Sequence, residues 1–151
     1  FDLHTSNKTG AMRAVDMGMP YVGSDTHTVA GIKAMRDTQF LSSNGDRPNV
    51  PNYAIIITDG VSTIDKANTI PEAVKAQNAG ITIYSVGITN NVDETELREM
   101  SSSPQIEGQT YWRSADFQKL GEITDSLVSV ACGATPAPVP PSKYLQEENI
   151  V

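Results

Sequence analysis

Oxygen-bearing side chains at two points of the chain could do chemistry. Asp59 follows the run Ile55-Ile56-Ile57-Thr58 directly and precedes Gly60. A carboxylate at the end of an apolar strand sits at the mouth of a sheet, where open α/β folds bind their ligands. Thr26 and Thr28 lie in a second polar loop that opens a helical stretch, so their hydroxyls can face the same crevice. Hard cations such as Mg²⁺ and Mn²⁺ take carboxylate, hydroxyl and water oxygens in octahedral array. One Asp and one Thr make only part of such a shell. A plainer reading also accounts for both features, since Asp-Gly is a turn dipeptide and Thr is a common helix cap.

Nitrogen and sulfur offer less. The two histidines are His4 and His27, and His27 reads as a surface residue in the first turn of a helix. The single cysteine, Cys132, excludes an internal disulfide and a Cys-rich metal site. It is either a small apolar residue closing the last helix or half of a disulfide whose partner lies outside this chain. Asn7-Lys8-Thr9 is a glycosylation sequon, relevant in a secreted protein. The chain has no Gly-x-Gly-x-x-Gly after a strand, no phosphate-binding Gly-x-x-x-x-Gly-Lys-Ser/Thr and no Gly-x-Ser-x-Gly elbow. Dinucleotide, P-loop and serine-hydrolase chemistry therefore lack their signatures.

These residues need elements to hold them. Tyr53 to Thr58 is a nearly continuous apolar run, which is how a strand buried on both faces reads. Ile81 to Ile88, ITIYSVGI, is a second such strand, and Gln109 to Ser114 is a short third. Helical spacing covers Thr5 to Met17, with Ala11, Met12, Val15 and Met19 marking the stripe, and Pro20 ends it. A second helix is expected from about His27 to Phe40, with Ile32, Met35 and Phe40 inward and Thr26 or Thr28 as N-cap. Residues 41–52 form a polar surface loop. The next helix, 65–79, places Ile70, Ala73, Val74 and Gln77 at helical spacing, tolerates Pro71 near its first turn and stops at Gly80. A short helix from Asp93 to Ser101 opens with Asp93 and Glu96 as a capping box. The last, Asp116 to Ala131, has the cleanest stripe: Phe117, Leu120, Ile123, Leu127 and Val130. Residues 1–3 read as the end of a strand, and 134–151 as a Pro-rich linker or tail with an acidic close. Strands alternating with helices predict an α/β fold, a doubly wound, mostly parallel sheet with helices on both faces. The loops at its ligand-binding edge are 21–28, 58–65 and 87–93.

Composition bounds the function classes. The 151 residues carry 11 Lys+Arg against 18 Asp+Glu, a net charge of −7. An acidic chain is poorly suited to gripping phosphate backbones, so no nucleic-acid partner is expected. Apolar residues at 38% and charged residues at 19% are globular values. No apolar run nears the roughly 20 residues of a membrane-spanning helix. Phe1-Asp2-Leu3-His4 carries no Met and no leader pattern, so the chain is expected to be a mature protein or a fragment.

Taken together, several segments resemble one family. YVGSDTHTVAGIKAM (21–35) is similar to the third sequence block of von Willebrand factor type A domains. RPNVPNYAIIITDGVS (47–62) resembles the loop, strand and metal-site turn after it, and AVKAQNAGITIYSVGI (73–88) the helix-Gly-strand block after that. DETELREMSS (93–102) and the closing helix match as well. The flavour is that of the extracellular matrix branch, the matrilins and the collagens that carry type A modules. The resemblance implies that residues 1–133 are the C-terminal two-thirds of such a domain, lacking its first strand-helix-strand portion. It also implies a metal-ion-dependent adhesion site, with Thr26 as the second-loop threonine and Asp59 as the final aspartate. The family's Asp-x-Ser-x-Ser loop occurs nowhere in the sequence. Bound Mg²⁺ or Mn²⁺, with Ca²⁺ also compatible, is therefore expected only if an upstream loop supplies the remaining ligands. At the place of Cys132, matrix type A modules often carry a cysteine paired with one before the first strand. By that resemblance Cys132 is a disulfide candidate, the protein is secreted to the extracellular matrix, and Asn7 is a glycosylation candidate.

The resemblance thus implies an adhesion module rather than an enzyme, binding collagen or another matrix glycoprotein through its cation site. The alternative is a metal-independent structural matrix protein whose module self-associates into homo-oligomers. A third reading, an intracellular enzyme-associated type A domain, would be marked by a reduced Cys132.

Overall fold

In the computed structural model, residues 7–10, 12–13 and 25–131 are described. The fold is built around β2 (Ile81–Ile88), which is buried along almost its whole length. It is the middle of a three-stranded sheet, with β1 (Asn52–Thr58) on one side and β3 (Tyr111–Ser114) on the other. Both pairings are parallel. The register runs from Asn52 opposite Ile81 to Thr58 opposite Gly87, and from Ser85 opposite Tyr111 to Ile88 opposite Ser114.

Alternation along these strands creates two apolar faces. On the first, Ala54, Ile83 and Tyr111 pack with Ile32 of α1 (Thr28–Ala34), Ala73 and Ala76 of α2 (Thr69–Asn78), and Leu97 and Met100 of α3 (Glu94–Met100). On the second, Tyr84, Val86, Ile88 and Trp112 pack with Ile123 of α4 (Leu120–Ala131). Each fully buried large side chain is worth about 1.5–3 kcal/mol relative to leaving it exposed. This is the mostly parallel sheet with helices on both faces that the alternation of elements predicts. Among the described residues no helix is long and apolar enough to cross a membrane.

Several local expectations need correction. The strand at Tyr53–Thr58 is not buried on both faces: Ala54 is buried, but Tyr53, Ile55 and Ile57 are 41%, 43% and 55% exposed. These three share the face that α4 covers only over β2 and β3, and Tyr53 stacks on Tyr84 with ring centroids 6.2 Å apart. A continuous apolar run says that both faces could be buried; what lies over them decides. The second helix starts at Thr28 and continues as a π-turn, Met35–Gln39, while Val74 and Phe117 point to solvent rather than inward. In α2 the buried stripe is Thr69, Ala73 and Ala76. Of the helix expected over 5–17, residues 8–10 and 12–13 are helical. The strand end at 1–3, Cys132 and the tail 134–151 lie outside the described residues.

Candidate functional site

Two loops meet at the carboxyl end of β1. One is residues 25–27, leading into α1; the other comes after β1 and carries Asp59. They are stitched together through the backbone. Thr63 N–H and Ile64 N–H both donate to Thr26 O, at 2.9 and 3.2 Å, while Thr26 N–H donates to Thr63 Oγ1 at 2.9 Å. A Cβ built on Gly60 would lie 3.9 Å from Thr26 Oγ1, so the threonine hydroxyl faces the turn that carries Asp59. Thr26 and Asp59 thus line one end of the same groove, of about 900 Å³. The rest of that groove follows the edge of β1, with Tyr53, Ile55 and Ile57 on one side and Ile32, Met35, Ala54 and Ile56 on the other.

Neither threonine caps α1. His27 holds the N-cap position without a side-chain bond, and Thr28 lies inside the helix. His27 is exposed, as a surface residue of the first turn should be. The Asp59 turn is fixed from two sides. Thr58 Oγ1 donates to Gly60 O at 2.8 Å, and Thr89 Oγ1 donates to Asp59 O at 3.0 Å. Thr89 lies just beyond β2 with φ +79°, a left-handed conformation that a β-branched residue adopts only under constraint. Its own N–H donates to Ser114 O at 2.8 Å, which supplies that constraint.

The third loop joins through α3. Asp93 is its N-cap and accepts from Thr95 N–H and Glu96 N–H, as a capping residue should. The reciprocal half of the expected capping box is diverted: Glu96 turns its carboxylate to Ser62. Lys66 donates to Asp93 Oδ2 at 3.1 Å, and this bond, with the cap bond from Glu96 N–H, holds the Asp93 carboxyl below the usual aspartate range. Ser62, Thr63, Thr89 and Glu96 were not legible as parts of this site. Serine and threonine in a loop are too common to stand out, and the spacing of Glu96 from Asp93 had its own sufficient explanation.

A carboxylate and a hydroxyl suit a hard divalent cation in kind. They fall short in number: among the described residues no three His, Cys, Asp or Glu side chains gather to hold a metal ion. Asn7 is exposed, and its Oδ1 accepts from Gly10 N–H at 2.8 Å, opening the helical turn at 8–10. Cys132 lies outside the described residues.

Comparison with known proteins agrees with this architecture. A family model described as the von Willebrand factor type A domain matches residues 1–126. Human matrilin-1 is 35% identical over 121 residues, covering 80% of this chain. A collagen alpha-1(XII) chain from Notophthalmus viridescens is 30% identical over 152 aligned positions, covering 98%. The chain spans only 23% of that matrilin's length and 16% of that collagen chain's. Among solved structures, proximal thread matrix protein 1 from the mussel byssus aligns with a TM-score of 0.74 at 23% identity, covering 82% of this chain and 31% of its own. A second structure of that mussel protein, with a zinc-occupied MIDAS motif, aligns with a TM-score of 0.73 at 22% identity, covering 82% and 30%.

Proposed function

The chain belongs to the von Willebrand factor type A domain family, and from that we propose that it is a binding module of a secreted extracellular matrix protein. It acts by adhesion, without catalysis. Its partner is another matrix protein, a collagen or a matrix glycoprotein, engaged at the end of the groove that Thr26 and Asp59 share. The observation that carries this reading is that shared groove, formed by two loops from distant parts of the sequence. The similarity to a matrilin and a collagen chain supports the matrix setting, and the zinc-occupied motif of the mussel protein supports divalent metal binding in this fold.

In this reading Thr26 and Asp59 supply two ligands of an adhesion site, and residues 1–133 supply the later two-thirds of the module. The remaining oxygen ligands come from a loop outside the sequence. Bound Mg²⁺ or Mn²⁺ would offer a coordination position to a carboxylate of the partner. The protein's own part is to hold Asp59 and Thr26 at a fixed separation, so that the cation need not order the loops itself. Cys132 and Asn7 are proposed to carry a disulfide and a glycan respectively.

Solid-phase binding of the full-length protein to collagen, in Mg²⁺ or Mn²⁺ and in chelator, tests the assignment. Asp59→Ala is expected to abolish chelator-sensitive binding while leaving the thermal midpoint unchanged, because Asp59 is exposed. Wild-type binding by that variant would remove the adhesion site from consideration. Binding that survives chelation would favour a metal-free, self-associating module.

A further inference from the structure

Glu96 is only 8% exposed, yet it is a carboxylate on a short surface helix. Its Oε1 accepts from Ser62 N–H at 3.2 Å and from Ser62 Oγ. Ser62 Oγ is also 2.6 Å from Thr28 Oγ1. One hydroxyl proton cannot serve both neighbours, and a carboxylate can only accept. Ser62 therefore gives its proton to Glu96 and receives that of Thr28. The relay runs from α3, through the loop that carries Asp59, to the first residue of α1 beside Thr26.

We propose that Glu96 is a positioning residue that clasps both loops of the candidate cation site through Ser62 and Thr28. The value of the clasp to metal binding rests on the cation reading; the clasp itself does not. Stability alone is a poor reason for the residue. Glu96 Oε2 is buried without a hydrogen-bond donor, and its nearest cation, Lys66 Nζ, is 3.9 Å away and bonded to Asp93. A buried carboxylate with one oxygen unserved costs free energy that an apolar side chain would not. What Glu96 provides instead is geometry: a fixed acceptor that two loops share. No apolar residue can replace that, and glutamine can.

Amide hydrogen exchange separates this role from a merely structural one. The reporters are the amides of Thr26, Ser62, Thr63 and Ile64, each bonded across the loops or to Glu96. Glu96→Ala is expected to speed their exchange by about tenfold or more, with β3 and α4 unchanged, as a local opening does. Glu96→Gln keeps the acceptor oxygen and is expected to restore exchange near the wild-type rate. Ser62→Ala removes the relay without touching α3 and should loosen the residue 25–28 loop in the same way; it decides the matter if Glu96→Ala does not fold. Wild-type loop exchange in Glu96→Ala or Ser62→Ala would overturn the proposal, as would a uniform rise across every element or failure of Glu96→Gln to rescue. In parallel, Mn²⁺ titration of the full-length protein should show severalfold weaker binding by Glu96→Ala. If the wild type takes up no Mn²⁺, the cation reading falls while the exchange result still decides the clasp.

Discussion

Thr89 shows how much one residue can hold at this site. Its left-handed backbone is a standing cost, of order 1–3 kcal/mol for a non-glycine residue. Its hydroxyl returns part of that by donating to Asp59 O and accepting from Asn91 N–H at 3.2 Å. Thr89→Val keeps the strain and the shape but loses both bonds, so a loss of about 1–2 kcal/mol is expected in urea unfolding. Thr89→Gly loses the same bonds but sheds the strain, so its loss should be the smaller of the two. The reverse order would mean that the backbone there is not strained. At this scale the sequence was half readable. Asp59 and Thr26 stand out because a carboxylate ends an apolar strand and a threonine opens a helix. Glu96 and Thr89 do not, because their roles depend on which distant loops the fold brings against them.

Among the elements, α3 is the one whose placement matters most to the loops, and Asp93 holds its first turn. Asp93→Ala should cost about 1 kcal/mol, the usual value of a lost cap, and should loosen Ser62 as α3 frays. The pH dependence has a definite sign. The Asp93 carboxyl is held below its ordinary range by Lys66 and the Glu96 amide, so the folded state favours its charged form. That contribution is complete above the range where free aspartate titrates, and it drains away as the pH falls below it. Unfolding curves of wild type and Asp93→Ala should therefore converge in acid; a constant gap would contradict the cap. The helices also show where periodicity stops informing. Phe117 and Val74 fit apolar stripes by spacing, yet Phe117 lies in a tight turn (Phe117–Lys119) ahead of α4, and Ala73 and Ala76 bring α2 close to the sheet without Val74.

For the whole molecule, the unequal cover of the sheet is the governing fact. Among the described residues three helices close one face, while on the other α4 covers β2 and β3 and leaves side chains of β1 exposed. Among the described residues β1 is paired on one side only, and an apolar edge of this kind calls for cover by further chain. With residues 1–133 as the later two-thirds of a module, as proposed above, the remaining third would cover Ile57, which is 55% exposed in this chain alone; Ile57→Lys should then lower the thermal midpoint of the full-length protein, and an unchanged midpoint would leave β1 bare. The parallel α/β plan was legible because it needs only the order of elements, whereas cover over a given strand depends on groups far away in sequence. Gly87 links the scales. A Cβ there would collide with the side chains of Leu97 and Val92, so β2 and α3 touch at a point with no room to spare. An alanine at that position would act as a wedge, prying α3 outward and drawing Glu96 off Ser62. Damage at Gly87 would surface two loops away, as faster amide exchange at Ser62 and Thr63, although the glycine has no side chain to touch either of them.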